Sequence, residues 1–166
     1  MHYLLKLVVK GENEKEAMAN ALDDAEELVN RGDYDWFTMD GRWGESKPYR
    51  VNSETGKQHI EDGMSAHRRD FDSAMKHIRY MMDNYSDDDI YNENFGDYRG
   101  KLPEDVWYLS KWQFYGASGD KNGPYVYALD GNIWGGYLEK EGDVKHVMDK
   151  DSDSNKLWVV PVDFHN

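Results

Sequence analysis

The chain has 166 residues, no cysteine and a formal net charge of −13. The length fits one domain with its own core. The missing thiols exclude disulfides, thiolate zinc sites and cysteine nucleophiles, and the negative field argues against nonspecific nucleic-acid or anionic-membrane binding.

Tyr3, Leu5, Leu7 and Val9 fall at every second position and share one face, which predicts a first strand with that face in the core. The same segment is too short and too interrupted for a signal peptide, and no apolar run is long enough to cross a bilayer. The expected location is therefore cytoplasmic, the host bacterial cytoplasm if the chain is phage-encoded. Asn13 with Glu16 forms a near capping box. Ala17, Met18, Ala21, Leu22, Ala25, Leu28 and Val29 then keep helical spacing until Gly32.

Asp33 to Trp43 reads as a second strand, Glu45 to Gly63 as a long polar loop, and Ser65 to Tyr85 as a second helix with Phe71, Ala74, Met75, Ile78, Met81, Met82 and Tyr85 in its stripe. Ser86 to Asp105 reads as an acidic loop and Val106 to Trp112 as a strand. Tyr125 to Leu129 and Ile133 to Leu138 flank Asp130-Gly131, a hairpin signal. Leu157 to Phe164 is the last strand, placed at an edge or bulge because Pro161 has no N–H. The expected fold is a single α+β domain over 1–166: a mainly antiparallel sheet with two helices packed on one face. Its opening β-α-β is compatible with a ferredoxin-like start.

Several motifs carry chemistry on paper. Asp149 to Asn155 spaces oxygens like a calcium loop, but Ser154 and Val160 replace the glycine and glutamate that an EF-hand needs, so a solvated turn is the better reading. Gly116 to Pro124 is glycine-dense without a following helix pattern, so it is a turn rather than a phosphate loop. No metal site, cofactor or catalytic set is assigned.

The ligand-binding candidates are Trp36, Arg42 and Trp43, beside Gly41, together with His67, Arg68 and Arg69 near the expected start of the second helix. An arginine fork meets phosphate or carboxylate, aromatic faces stack on bases, and a helix start attracts anions. Asp163 and His165 share one face of the last strand, where a carboxylate can orient an imidazole. The acidic residues Asp83, Asp87, Asp88, Asp89, Glu93 and Asp97 form the alternative, partner-binding set: a mobile acidic loop, or a row of false phosphates offered to a basic partner.

Tyr34-Asp35-Trp36-Phe37, Gly41-Arg42-Trp43, His67-Arg68-Arg69-Asp70, the Asp130-Gly131 turn before Trp134, and Val162-Asp163-Phe164-His165 together resemble a group of small bacteriophage and prophage proteins without an assigned activity. Asp40 stands where that group usually has a glycine before Gly-Arg-Trp. The resemblance implies an accessory protein of the kind that counters host defence. The leading expectation is noncatalytic binding of a small anionic ligand, a nucleotide-derived immune signal, with a homo-oligomer favoured by exposed edges and aromatics. The alternatives are an acidic, DNA-mimicking inhibitor of a host nuclease, CRISPR or restriction complex, and a phosphodiesterase or hydrolase using His67, Asp163 and His165.

Overall fold

A computed structural model describes residues 2–116, 124–129, 136–150 and 154–165. By backbone proximity the chain divides into two compact units: one made of Met1–His67 and Asn122–Asn166, the other of Arg68–Lys121.

The first unit is built around two long strands that pair along their whole length, β1 (His2–Lys10) and β8 (Leu157–His165). Between them in sequence come α1 (Glu14–Asn30), β2 (Trp36–Thr38), the hairpin strands β3 (Asp40–Gly41) and β4 (Gly44–Glu45), β5 (Tyr49–Arg50), α2 (Glu54–Asn84), α3 (Asp87–Tyr91), α4 (Trp112–Gly116), β6 (Tyr125–Ala128), β7 (Gly136–Tyr137) and α5 (Glu141–Lys150). The sheet order is β2-β8-β1-β6-β7, with β5 also on β8. Among the described residues only the β1–β6 pair is parallel. This is the expected α+β class with a mainly antiparallel sheet.

β1, α1 and β2 form a split β-α-β unit with β8 inserted between its strands. A ferredoxin-like arrangement is not formed: the strand on the other side of β1 is β6, which runs parallel to it. Helices cover both faces, not one. Ala17, Ala21, Ala25 and Leu28 of α1 pack with Leu5, Leu7, Val160 and Phe164. Val144, Val147 and Met148 of α5 pack with Val8, Val126 and Val159 on the opposite face. Period-two alternation in β1 and β8 sends neighbouring residues to these two cores.

α1 begins and ends as its sequence directs. The Asn13 side chain accepts the Glu16 N–H at 3.1 Å, and the Glu16 carboxylate accepts the Glu12 N–H at 3.0 Å. At the other end Gly32, at φ +80°, allows the Asp33 N–H to reach Leu28 O and its own N–H to reach Val29 O, a Schellman closure.

α2 starts eleven residues before the expected Ser65, at Glu54. The polar stretch hides it because Gly56 and Gly63 weaken helical propensity. Both glycines sit against close neighbours. A Cβ on Gly56 would lie 2.0 Å from Arg50 O, and one on Gly63 would lie 2.5 Å from the Val126 side chain.

β8 is central rather than an edge strand. Pro161 is tolerated because β2 pairs only Asp163–His165 and β5 only Trp158–Val159, which leaves a gap on that side of β8. Ser46 Oγ donates to Pro161 O there. The N and C=O of one residue point the same way across an antiparallel ladder, so the missing N–H falls in the same gap.

Lys6 lies on the α5 side of the sheet and is 2% exposed. Its Nζ donates to His59 O at 3.0 Å and lies 3.8 Å from Asp62. Burial lowers its pKa from 10.5 against the opposing pull of Asp62, and burial with the Lys6 charge lowers that of His59. A cation with a depressed folded pKa binds fewer protons than in the unfolded chain, so stability should climb with pH as it approaches 10.5. Lys6→Met should abolish that climb in urea titrations run across the alkaline range. It should also leave neutral-pH stability unchanged or raise it, within roughly the 1–4 kcal/mol gained when buried ionic groups are replaced by apolar ones. A loss of stability at neutral pH would count against this.

The second unit has its own core, with Ile78 and Met81 of α2 against Ile90, Phe95, Val106 and Leu109. The expected strand from Val106 to Trp112 is absent. Val106 and Leu109 are buried while Trp107 and Tyr108 are exposed, a spacing of three that a strand cannot satisfy. Three described helices, α3, α4 and α5, lie outside the sequence expectations. The stretches 117–123, 130–135 and 151–153, which hold most of the glycine-dense turn, the Asp130-Gly131 signal and the centre of the calcium-like run, lie outside the described residues. No described helix is long and apolar enough to cross a membrane.

Candidate functional site

Register places three rings in a row at one end of the sheet: His2 of β1 opposite His165 of β8, and His165 opposite Trp36 of β2. They point to the face away from α1, because Tyr3, Phe164 and Phe37, one residue along each strand, belong to the α1 core. Asp163 lies two residues before His165 on that same face, and it is 3% exposed. The β3–β4 hairpin closes over it. Gly41 pairs with Gly44, leaving Arg42 and Trp43 as the two-residue turn, with Gly44 at φ +99°.

Two groups satisfy the Asp163 carboxylate. The Arg42 backbone N–H donates to Oδ2 at 2.8 Å, and His2 Nδ1 lies 3.0 Å and 3.2 Å from the two oxygens. A carboxylate only accepts, so the His2 proton sits on Nδ1 and the lone pair of neutral His2 on Nε2. Trp36 stacks on His165 with centroids 4.9 Å apart and planes 11° apart. His2 meets three rings edge-on: His165 at 5.2 Å, Trp36 at 5.7 Å and Trp43 at 6.3 Å. Asp35 stands behind His165, its Oδ2 3.9 Å from Nδ1.

Trp36 and Trp43 remain 43% and 45% exposed, unusual for indoles this close to other rings. Arg42 is exposed at the hairpin tip, and among the described residues its guanidinium makes no ion pair. The cluster therefore offers two open aromatic faces, two partly exposed imidazoles, one buried carboxylate and one available guanidinium.

Trp36, Arg42, Trp43, Asp163 and His165 come together here. His67 does not join them. Its ring stacks on Tyr125 at 4.0 Å and meets Tyr137 edge-on at 5.3 Å. Tyr125 pairs with Leu5 and lies in the α1 core, on the other face of the sheet from Asp163.

Arg68 and Arg69 belong to the second unit. Because α2 begins at Glu54, they lie in mid-helix, where backbone N–H groups are used within the helix, so the expected helix-start anion site does not form. Arg68 instead donates to Asp72 at 2.9 Å, one turn on. His77, further along α2, is fully buried and satisfied: Nδ1 donates to Ser73 O at 2.8 Å and Nε2 accepts the Trp107 N–H at 3.4 Å.

The acidic set has local duties. Asp87, Asp88 and Asp89 form the first turn of α3, where carboxylates complement the helix dipole. Ser86 and Asp89 bond reciprocally as a capping box, and those bonds to Ser86 hold the Asp89 carboxyl below its usual range. Glu93, at φ +55°, accepts from Ser110 Oγ and the Lys111 N–H. Lys101 donates to the backbone oxygen of Asp97, and Asp83 is exposed in the last turn of α2.

His2 is the member of the cluster that the sequence reading leaves out. Its signal is faint: a polar residue opening an alternating strand, which gains meaning only once β1 is registered against β8. Among the described residues, no group of three or more His, Asp or Glu side chains is arranged to hold a metal ion. No family model, no curated protein and no solved structure matches this chain.

Proposed function

We propose that the Trp36–Trp43–His2–His165 cluster binds a small anionic ligand with a planar ring, a nucleotide-derived one, in a phage-type accessory role that removes such a signal from circulation. The observation that carries this is the pair of half-exposed indoles beside an exposed Arg42 guanidinium, above a buried carboxylate whose oxygens already accept hydrogen bonds from the Arg42 N–H and His2. Indoles that serve only as core would be covered, and a buried carboxylate without donors would repel phosphate.

The net charge of −13 does not forbid an anion here, since charges beyond about 8 Å are largely screened at physiological salt. It does favour a small ligand over a polymer. Calorimetry and thermal shift with linear and cyclic nucleotides should give a raised midpoint for at least one of them. Trp36→Ala and Trp43→Ala should each weaken that binding by about 1–3 kcal/mol, the range for one stacked base. Arg42→Ala should flatten its dependence on salt. If no nucleotide shifts the midpoint at millimolar concentration, this reading fails.

A further inference from the structure

We infer that the cluster also cleaves what it binds: a short ribonucleotide phosphodiester with a free 2′-hydroxyl next to the scissile phosphate. This rests on the ligand-binding reading above and adds turnover to it.

Three features point there. Two imidazoles lie with centroids 5.2 Å apart, and each has a carboxylate behind its Nδ1: Asp163 at 3.0 Å for His2 and Asp35 at 3.9 Å for His165. Paired imidazoles can take a proton on one side of a reacting centre and give one on the other. The two nearby hydroxyls are both engaged with backbone, Ser46 Oγ donating to Pro161 O and Thr38 Oγ1, opposite Asp163, accepting the Asp40 N–H. The proposed attacking oxygen is therefore the substrate's own 2′-hydroxyl. Finally, both indoles sit edge-on to His2, at 5.7 Å and 6.3 Å, so two stacking platforms flank the imidazoles as two bases flank one phosphate.

In the step itself, Nε2 of neutral His2 accepts the proton of the 2′-hydroxyl while that oxygen attacks phosphorus. The P–O2′ bond forms and the P–O5′ bond breaks. Protonated His165 gives its proton to the departing O5′. The products are a 2′,3′-cyclic phosphate and a free 5′-hydroxyl, and no water, metal or oxidant is consumed. His2 then returns its proton to solvent and His165 regains one. Asp163 is a positioning residue, holding the His2 proton on Nδ1. The exposed Arg42 guanidinium is the cation available at the hairpin tip to meet the charge that builds on the phosphoryl oxygens. Long RNA is disfavoured, because its phosphates would cross a surface carrying Asp35, Asp40 and Glu45.

The test incubates the full chain, in EDTA, with uridylyl-(3′→5′)-adenosine and with the 2′-deoxy analogue of the same dinucleotide. Products are followed by chromatography and mass spectrometry, and binding by calorimetry. Uridine 2′,3′-cyclic phosphate and adenosine should form from the first compound, and nothing from the second. His2→Gln and His165→Gln should each slow turnover by about 100-fold or more, while still binding the deoxy analogue. Binding of both compounds without product overturns the inference and leaves the ligand-binding reading standing; binding of neither overturns both. Cleavage of the deoxy analogue, or full activity in both glutamine variants, also overturns it.

Discussion

Phe164→Ala should lower the unfolding free energy by about 3–5 kcal/mol, the range for emptying a fully buried aromatic site. Phe164 has no exposed surface, and its ring packs against Tyr34 at 4.5 Å and Phe37 at 5.8 Å. Its register partners are Tyr3 on β1 and Phe37 on β2, so one side chain fills the layer that holds three strands against α1. The same strand presents Asp163 and His165 on its other face, immediately on either side of Phe164. The expected result is therefore twofold. Chemical denaturation should show the loss of stability, and nucleotide affinity should fall although Phe164 itself lies on the opposite face from the ligand cluster. Phe164→Leu should give an intermediate loss of stability. A Phe164→Ala loss well under 1 kcal/mol would mean that the cavity collapses freely and that β8 is not held from this side.

What can be read from the residues divides along a physical line. β1, α1, β6 and β8 are legible because each carries its own instruction: apolar residues at every second position from Tyr3 to Val9, a cap at Asn13 with a stop at Gly32, and β-branched or aromatic runs in the last third. α2 begins unseen because Gly56 and Gly63 serve close backbone approach, a tertiary requirement that overrides the local signal. The segment from Asp33 to Trp43 reads as one strand because its aromatics hide a chain reversal. β2 ends at Thr38, and the Arg42-Trp43 turn belongs to a separate hairpin.

The candidate site follows the same rule. Asp163 and His165 are two apart on one strand and can be grouped by counting. The presence of Arg42 and Trp43 next to them depends on the hairpin folding back, and His2 joins only through a partner 163 residues away in the register, His165. The grouping with His67 to Arg69 rests on a helix start that does not exist at that point, because local sequence gives element type more reliably than element boundary. Pro161 illustrates the converse. Its missing N–H does mark an unpaired stretch, but on a central strand with a gap beside it.

Gly41→Ala tests the hairpin's role most directly. Gly41 has no positive φ, so its backbone would accept any residue; the obstacle is space. A Cβ there would lie 2.2 Å from both Cβ and Oδ2 of Asp163, well inside any real contact. Asp163 cannot retreat, being buried and bonded to His2, so the hairpin must lift. Lifting strains packing by about 1–3 kcal/mol, and it stretches the Arg42 N–H bond to a charged acceptor, worth about 1.5–3 kcal/mol. Gly44→Ala makes the matching control: the space around its Cβ is open, and only its φ of +99° resists the substitution, by about 1–3 kcal/mol. Both variants should therefore melt earlier than the wild type. Gly41→Ala alone should also lose nucleotide affinity and disturb the environment of the His2 imidazole, visible as a shifted ring resonance in NMR. If Gly41→Ala binds ligand like Gly44→Ala, Asp163 does not couple the hairpin to the imidazoles. The cluster would then be two neighbouring features and not one site.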